Sequence, residues 1–180
     1  MIHLIRHGPK AWDNGRGGPV DHLGEGESHD PPLDWASGAG HRVDHLSAQL
    51  LAQEDEPAAI LSSPFLRCRQ TAEILAQRLE EPLLIDCSLL REYLGNWRES
   101  SRPVRITQQT DALLGKDDSI VENWEKFSQR AHSTAEWLIF LLDNLCDGRS
   151  LWVVTHGALM RKVNRILVKR GYPVALHWLS

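Results

Sequence analysis

Three short stretches hold residues suited to the same chemistry: Arg6-His7-Gly8, Ser62-Ser63-Pro64 with Arg67 close behind, and His156-Gly157. Arginine stays charged throughout the physiological range and offers oxyanions a planar fork of N–H donors. Histidine, whose ordinary pKa lies near neutrality, can attack, donate a proton or accept one. A cation beside a histidine therefore suits the handling of an anion, most obviously phosphate. Taken alone, Arg6-His7-Gly8 is better explained as a surface turn. Its weight depends on partners brought to it by the rest of the chain.

Each stretch closes a short apolar run. Residues 2–5 read as a buried strand, stopped by Gly8-Pro9, a pair that cannot continue a strand interior. Residues 58–62, 83–87 and 151–155 read as further strands, and residues 174–179 as a last one. Apolar positions at three- and four-residue steps predict helices over 39–51 (Val43, Leu46, Leu50, Leu51) and 65–79 (Phe65, Ala72, Leu75, Leu79). The same pattern predicts helices over 122–145 (Trp124, Phe127, Ala131, Leu138, Leu141, Leu142) and 158–169, with Gly148 closing the first of these two. Residues 11–35, rich in Gly, Asp, His and Pro, read as a long loop leaving from Arg6-His7, which suits the covering of a site. Residues 89–121 read as an irregular excursion, broken by Gly95, Pro103 and Gly115.

Strands alternating with helices predict an α/β fold, a three-layer α/β/α sandwich around a mostly parallel sheet, in a single domain over residues 1–180. In such a sheet the strands' carboxyl ends share one edge, where open α/β sheets place their ligand crevices. Arg6, His7, Arg67 and His156 can then converge. The helix starting after Gly157 adds unpaired backbone N–H groups, which also favour anions.

Composition narrows the function classes. With 42% apolar and 24% charged residues over 180 positions, the chain has the balance of an ordinary globular domain. A formal net charge of −4 gives no reason to expect a nucleic-acid partner, so an anion site must be built from local cations. Three widely spaced cysteines (Cys68, Cys87, Cys146) with no Cys-x-x-Cys pair suit a reducing compartment and argue against a zinc knuckle. The sequence has no signal-peptide pattern and no apolar stretch long enough to span a bilayer, so the expectation is a cytoplasmic protein with no membrane partner. No metal or cofactor is expected, since neither a His-Glu-x-x-His nor a cysteine cluster is present.

With these stretches in order, the chain resembles the histidine phosphatase superfamily, the phosphoglycerate-mutase-like branch 1. The matching elements are Leu4-Ile-Arg-His-Gly8, Ser62-Ser-Pro-Phe-Leu-Arg-Cys-Arg-Gln-Thr-Ala-Glu73, Leu90-Arg-Glu-Tyr-Leu-Gly-Asn-Trp97 and Val153-Val-Thr-His-Gly157. Asp30-Pro-Pro-Leu33 with Gly38 or Gly40, and the helical Glu122-Asn-Trp-Glu-Lys-Phe-Ser-Gln-Arg130, extend the likeness over essentially the whole chain. The resemblance implies that His7 is a nucleophile forming phosphohistidine, with Arg6, Arg67, His156 and Gly157 around the phosphate oxygens. It implies Glu92 as proton donor to the leaving alkoxide, with Glu99 a weaker candidate. That role suits a carboxyl at the pocket rim, partly shielded from the arginines. The implied activity is a metal-independent phosphomonoester phosphatase acting on a phosphorylated small molecule or phosphopeptide. The alternatives are a phosphoglycerate-mutase-type phosphotransferase and an inactive phospholigand-binding module. Pro9-Lys10, and Asp13 where an Asn commonly stands, depart from the family's pattern next to His7. Arg98, Arg102 and Arg105 are candidates for reading a second anionic group, although a solvated face explains them better. The remaining histidines, His177 among them, read as solvated or helical.

Overall fold

The computed structural model describes residues 1–8, 33–80, 82–92 and 123–179. Pro9-Lys10, Asp13, Arg98, Glu99, Arg102, Arg105 and most of the two long irregular segments lie outside the described residues.

Among the described residues, five strands form the sheet: β1 (Ile2–Arg6), β2 (Pro57–Ser62), β3 (Leu84–Asp86), β4 (Ser150–Thr155) and β5 (Val174–Trp178). The helices described between them are α1 (Ala39–Leu51), α2 (Leu66–Ala76), α3 (Trp124–Leu145) and α4 (Gly157–Lys169). Short 3-10 turns occupy Trp35–Ser37 and Ser88–Leu90. The strand order is β3-β2-β4-β1-β5, and every pairing is parallel, so the mostly parallel expectation becomes an all-parallel sheet among the described residues. Differences from the periodic reading are at the ends. The third strand is shorter by a residue on each side, and α2 stops at Ala76, three residues early. The third helix does not close on Gly148 itself: it ends at Leu145, and the chain then turns through left-handed backbone at Asp147 and Gly148.

Alternation along the strands divides the core between two faces. Ile2 and Leu4 of β1, Leu61 of β2, and Leu151 and Val153 of β4 pack with Phe127, Ala131, Ala135 and Leu138 of α3 and Leu159 and Val163 of α4. Ile5, Ile60, Trp152 and Val154 point the other way, into Val43, Leu46 and Leu50 of α1 and Cys68, Ala72 and Leu75 of α2. This is the three-layer sandwich. Because strands buried on both faces need no polar alternation, β4 could be apolar throughout (Leu151, Trp152, Val153, Val154).

The wiring locates the crevice. The chain steps toward the β3 edge through α1 and α2 on one face, then back toward β5 through α3 and α4 on the other. One crossover hand requires this exchange of faces when the direction reverses. At the carboxyl end of β4 the chain therefore departs to one face, while from both neighbours, β1 and β2, it departs to the opposite one. A ligand crevice opens where adjacent strands diverge in this way.

Candidate active site

The register puts the strand ends level: Arg6 faces Thr155 and Trp178, and Ser62 faces Val154 and Asp86. His7, Ser63 and His156 each follow directly, and all three are buried. Gly8 is required here by close approach. A Cβ on it would come within 2.9 Å of Leu33 Cδ2, while its N–H reaches Thr71 Oγ1 of α2 at 3.3 Å.

His7 is held from both ring nitrogens. Nδ1 donates to the Gly8 carbonyl at 2.6 Å, which leaves the lone pair on Nε2, where Arg67 Nε approaches to 3.2 Å. The tautomer is assigned from these partners, since a guanidinium can only donate. Burial, then His156, then the Arg67 charge hold the imidazole's pKa well below its ordinary 6.5. His7 is therefore neutral at pH 7, with a buried, nucleophilic nitrogen facing a cation.

Arg67, near the start of α2 and almost fully buried, links the other partners. Its Nη2 donates to Glu92 Oε2 at 2.6 Å and approaches His156 Nδ1 at 3.1 Å, while its guanidinium lies over the Phe65 ring. By the same reasoning His156 carries its proton on Nε2 and donates it to Ser63 Oγ at 2.9 Å, with Cys68 Sγ 3.5 Å from that nitrogen. His7 and His156 meet edge to face, with ring centres 5.1 Å apart.

The expected shielding of Glu92 from arginine is corrected by this geometry. Its carboxylate is ion-paired with Arg67 and 3.4 Å from His156 Nδ1. Arg130 of α3 holds the segment leading to it, donating to the carbonyls of Leu89 (2.8 Å), Arg91 (2.9 Å) and Glu92 (3.3 Å). Thr155 Oγ1 adds a bond to the Leu90 carbonyl at 2.7 Å. Bonds from α3 and β4 thus hold the segment that ends in Glu92.

Arg6 stands apart from the four residues His7, Arg67, His156 and Glu92. It turns toward Trp178, with Cζ 5.9 Å from the ring centre, and lines a cleft of about 160 Å³ together with His7, Glu92, Gly157, Ala158, Arg161 and Trp178. Gly157 begins α4, so its N–H has no intrahelical acceptor, and His156 at the N-cap makes no side-chain cap bond. The structure therefore gathers His7, His156 and Glu92 around Arg67 and sets Arg6 and Gly157 beside them across the cleft. Ser63, Arg130 and Arg161 are site residues whose roles the motif reading did not assign. For Arg161 a signal existed, since a residue four places after Gly157 returns to the same helix face. His177, read as solvated, is half-buried and bonded to the buried His3 at 2.9 Å.

Among the described residues, no group of three or more His, Cys, Asp or Glu side chains is placed to hold a metal ion, and no helix is long and apolar enough to cross a membrane. A cleft of arginines, imidazoles and helix N–H donors is suited to a phosphoryl group.

The family pattern of the histidine phosphatase superfamily (branch 1) matches residues 2–178. The chain belongs to this superfamily. Among solved histidine phosphatase folds, Bacillus stearothermophilus YhfR is 25% identical with a TM-score of 0.60, over 96% of this chain and 80% of its own. The ecdysone phosphate phosphatase of Bombix mori, in complex with tungstate, has a TM-score of 0.64 at 16% identity, over 94% of this chain and 77% of its own. Phosphoglycerate mutase from Bacillus anthracis has a TM-score of 0.60 at 19% identity, over 98% and 83% respectively. The latter two likenesses establish the phosphoglycerate-mutase-like fold. Comparison with curated protein sequences gives no match. Proteins of this fold thus include both a phosphatase and a mutase.

Proposed function

We propose that the protein is a phosphomonoester phosphatase working through a phosphohistidine on His7. One observation carries the reading: the Nδ1–H bond to the Gly8 carbonyl leaves the unprotonated Nε2 of a buried, neutral imidazole in the cleft, with Arg67 against it. A nucleophile must present its lone pair, and this ring can present only Nε2.

An entering phosphate dianion competes with Glu92 for Arg67. Arg67 and Arg6 take the non-bridging oxygens, joined by the Gly157 N–H and by His156 once its Nδ1 is protonated, and their charge offsets what develops in the transition state. The Nε2 lone pair forms the P–N bond as the P–O ester bond breaks. Glu92, released from its ion pair and protonated, gives its proton to the departing alkoxide. Water then attacks phosphorus, Glu92 takes a proton from it, and the P–N bond breaks to return His7 and free phosphate.

Rapid mixing with p-nitrophenyl phosphate tests this reading. The expected outcome is a burst of nitrophenol, turnover that survives EDTA, and an acid-labile, base-stable phosphoenzyme. All three should vanish in His7→Ala. Retained phosphate binding with no turnover and no phosphoenzyme would sink the phosphatase and leave a binding module.

A further inference from the structure

Among the described residues, the cleft beside His7 carries a cation, Arg161, beyond the two arginines that take the ester phosphate. Its sole acidic lining residue among those described, Glu92, is already bonded to Arg67. Arg6 and Arg161 also line it, and among the described residues neither is paired with a carboxylate. Both rest on Trp178, with Cζ atoms 5.9 and 5.2 Å from the ring centre. Trp178 stands at the end of β5, 40% exposed, as the ring that both guanidiniums share. A guanidinium stacked on a ring keeps its in-plane N–H donors free for an oxyanion. Because the two guanidiniums share one ring, they lie within about 11 Å of each other. Arg6 follows β1 to the His7 side of the cleft; Arg161 projects from the second turn of α4, behind Gly157 and Ala158.

We propose that Arg161, backed by Trp178, is a subsite for a second oxyanion, so that the substrates are small phosphomonoesters carrying a carboxylate or second phosphate a few bonds from the ester oxygen. The proposal rests on the phosphatase reading of the same cleft. The short span between the cations selects a small molecule: the ester phosphate sits at His7 and Arg67, and its tail anion needs only a short chain to reach Arg161. Trp178 then acts as a positioning residue, fixing the plane of the Arg161 fork.

A matched series tests it: propyl phosphate, 3-phosphooxypropanoate and propane-1,3-diyl bisphosphate, assayed by phosphate release. The wild-type enzyme should prefer each doubly anionic compound to propyl phosphate by at least about tenfold in kcat/KM, mainly through KM, the effect expected of one charge-assisted contact. Preference for only one of the two identifies the tail anion as carboxylate or phosphate. In Arg161→Gln the ratio should fall to near one, Arg161→Lys should restore part of it, and Trp178→Leu should lower it. A wild type that treats all three alike, or an Arg161→Gln enzyme that keeps the preference, overturns the subsite while leaving the phosphatase intact. If none of the three is hydrolysed, it is the phosphatase reading that fails, and calorimetric binding of 3-phosphooxypropanoate against propyl phosphate decides the subsite. A preference lost in Arg161→Gln supports it; equal affinities refute it.

Discussion

Arg67 is where the charges of the site meet: it touches a neutral imidazole, a carboxylate and a second imidazole from one nearly buried guanidinium. Lysine would keep the charge, but its single ammonium cannot address His7, His156 and Glu92 in three directions. Arg67→Lys should therefore lower kcat/KM for p-nitrophenyl phosphate at least about 100-fold, within the range for losing a transition-state charge stabiliser. A loss under threefold would show that the fork geometry is unimportant. His7 yields a pH prediction of known sign. Its pKa lies well below 6.5 because burial and the flanking cation oppose its protonated form. Protonation removes the lone pair, so acid should silence His7 only well below pH 6.5, and raising the pH above 6.5 should add nothing. The pH profile of kcat/KM should show no inflection near 6.5 due to His7. A normal histidine limb that persists in Glu92→Gln would contradict that.

At the scale of elements, much was legible because parallel strands buried on both faces leave continuous apolar runs, and polar motifs at their ends stand out. His7, Arg67 and His156 were found that way, at the ends of β1, β2 and β4. What could not be read depends on pairings distant in sequence. Arg130 looked like the last member of a helical motif, yet its acceptors are the carbonyls of residues 89, 91 and 92, 38 to 41 positions away. Arg161 was not singled out in the sequence, because its contact with Trp178 is made through β5. The Arg130 clamp carries its own prediction. Arg130→Met keeps most of the side chain's bulk on Phe127 but leaves the 89–92 carbonyls without their cation. Such a change in a buried network should cost about 3 kcal/mol of stability in urea unfolding. It should also lower kcat at least about tenfold while leaving phosphate affinity nearly unchanged, because Glu92 loses its position and Arg67 does not. Equal losses in kcat and in phosphate binding would show collapse of the whole site instead.

For the whole molecule, the sheet is more than a platform for the cleft, because it buries titratable groups on its α1–α2 side as well. His3 of β1 lies between His177 of β5, bonded at 2.9 Å, and the Asp55 carboxylate before β2, which its Nε2 contacts. The two rings stack with centres 5.2 Å apart. Burial lowers the pKa of His3 more than Asp55 raises it, with the N-terminal ammonium adding to the depression; burial and then His3 lower that of His177. Together with His7, three histidines bind protons more weakly in the folded chain than in the unfolded one. As the pH falls below about 6.5, unfolded chains take up protons that folded chains refuse, so stability declines with acidification through that window and is flat above it. Carboxylate pairs do not produce this effect. Asp44, beside Arg78, has a pKa below its ordinary 3.8, so its contribution is intact until far more acidic pH. The urea midpoint should then be constant from pH 8 to 7 and fall between pH 6.5 and 5, with the slope of the linear extrapolation unchanged. His177→Phe keeps a ring against His3 while removing one titrating group, and its decline over the same interval should be shallower. A midpoint that stays level or rises on acidification to pH 5 would mean that these histidines accept protons in the folded protein, and that the β1–β5 side of the sheet opens to water.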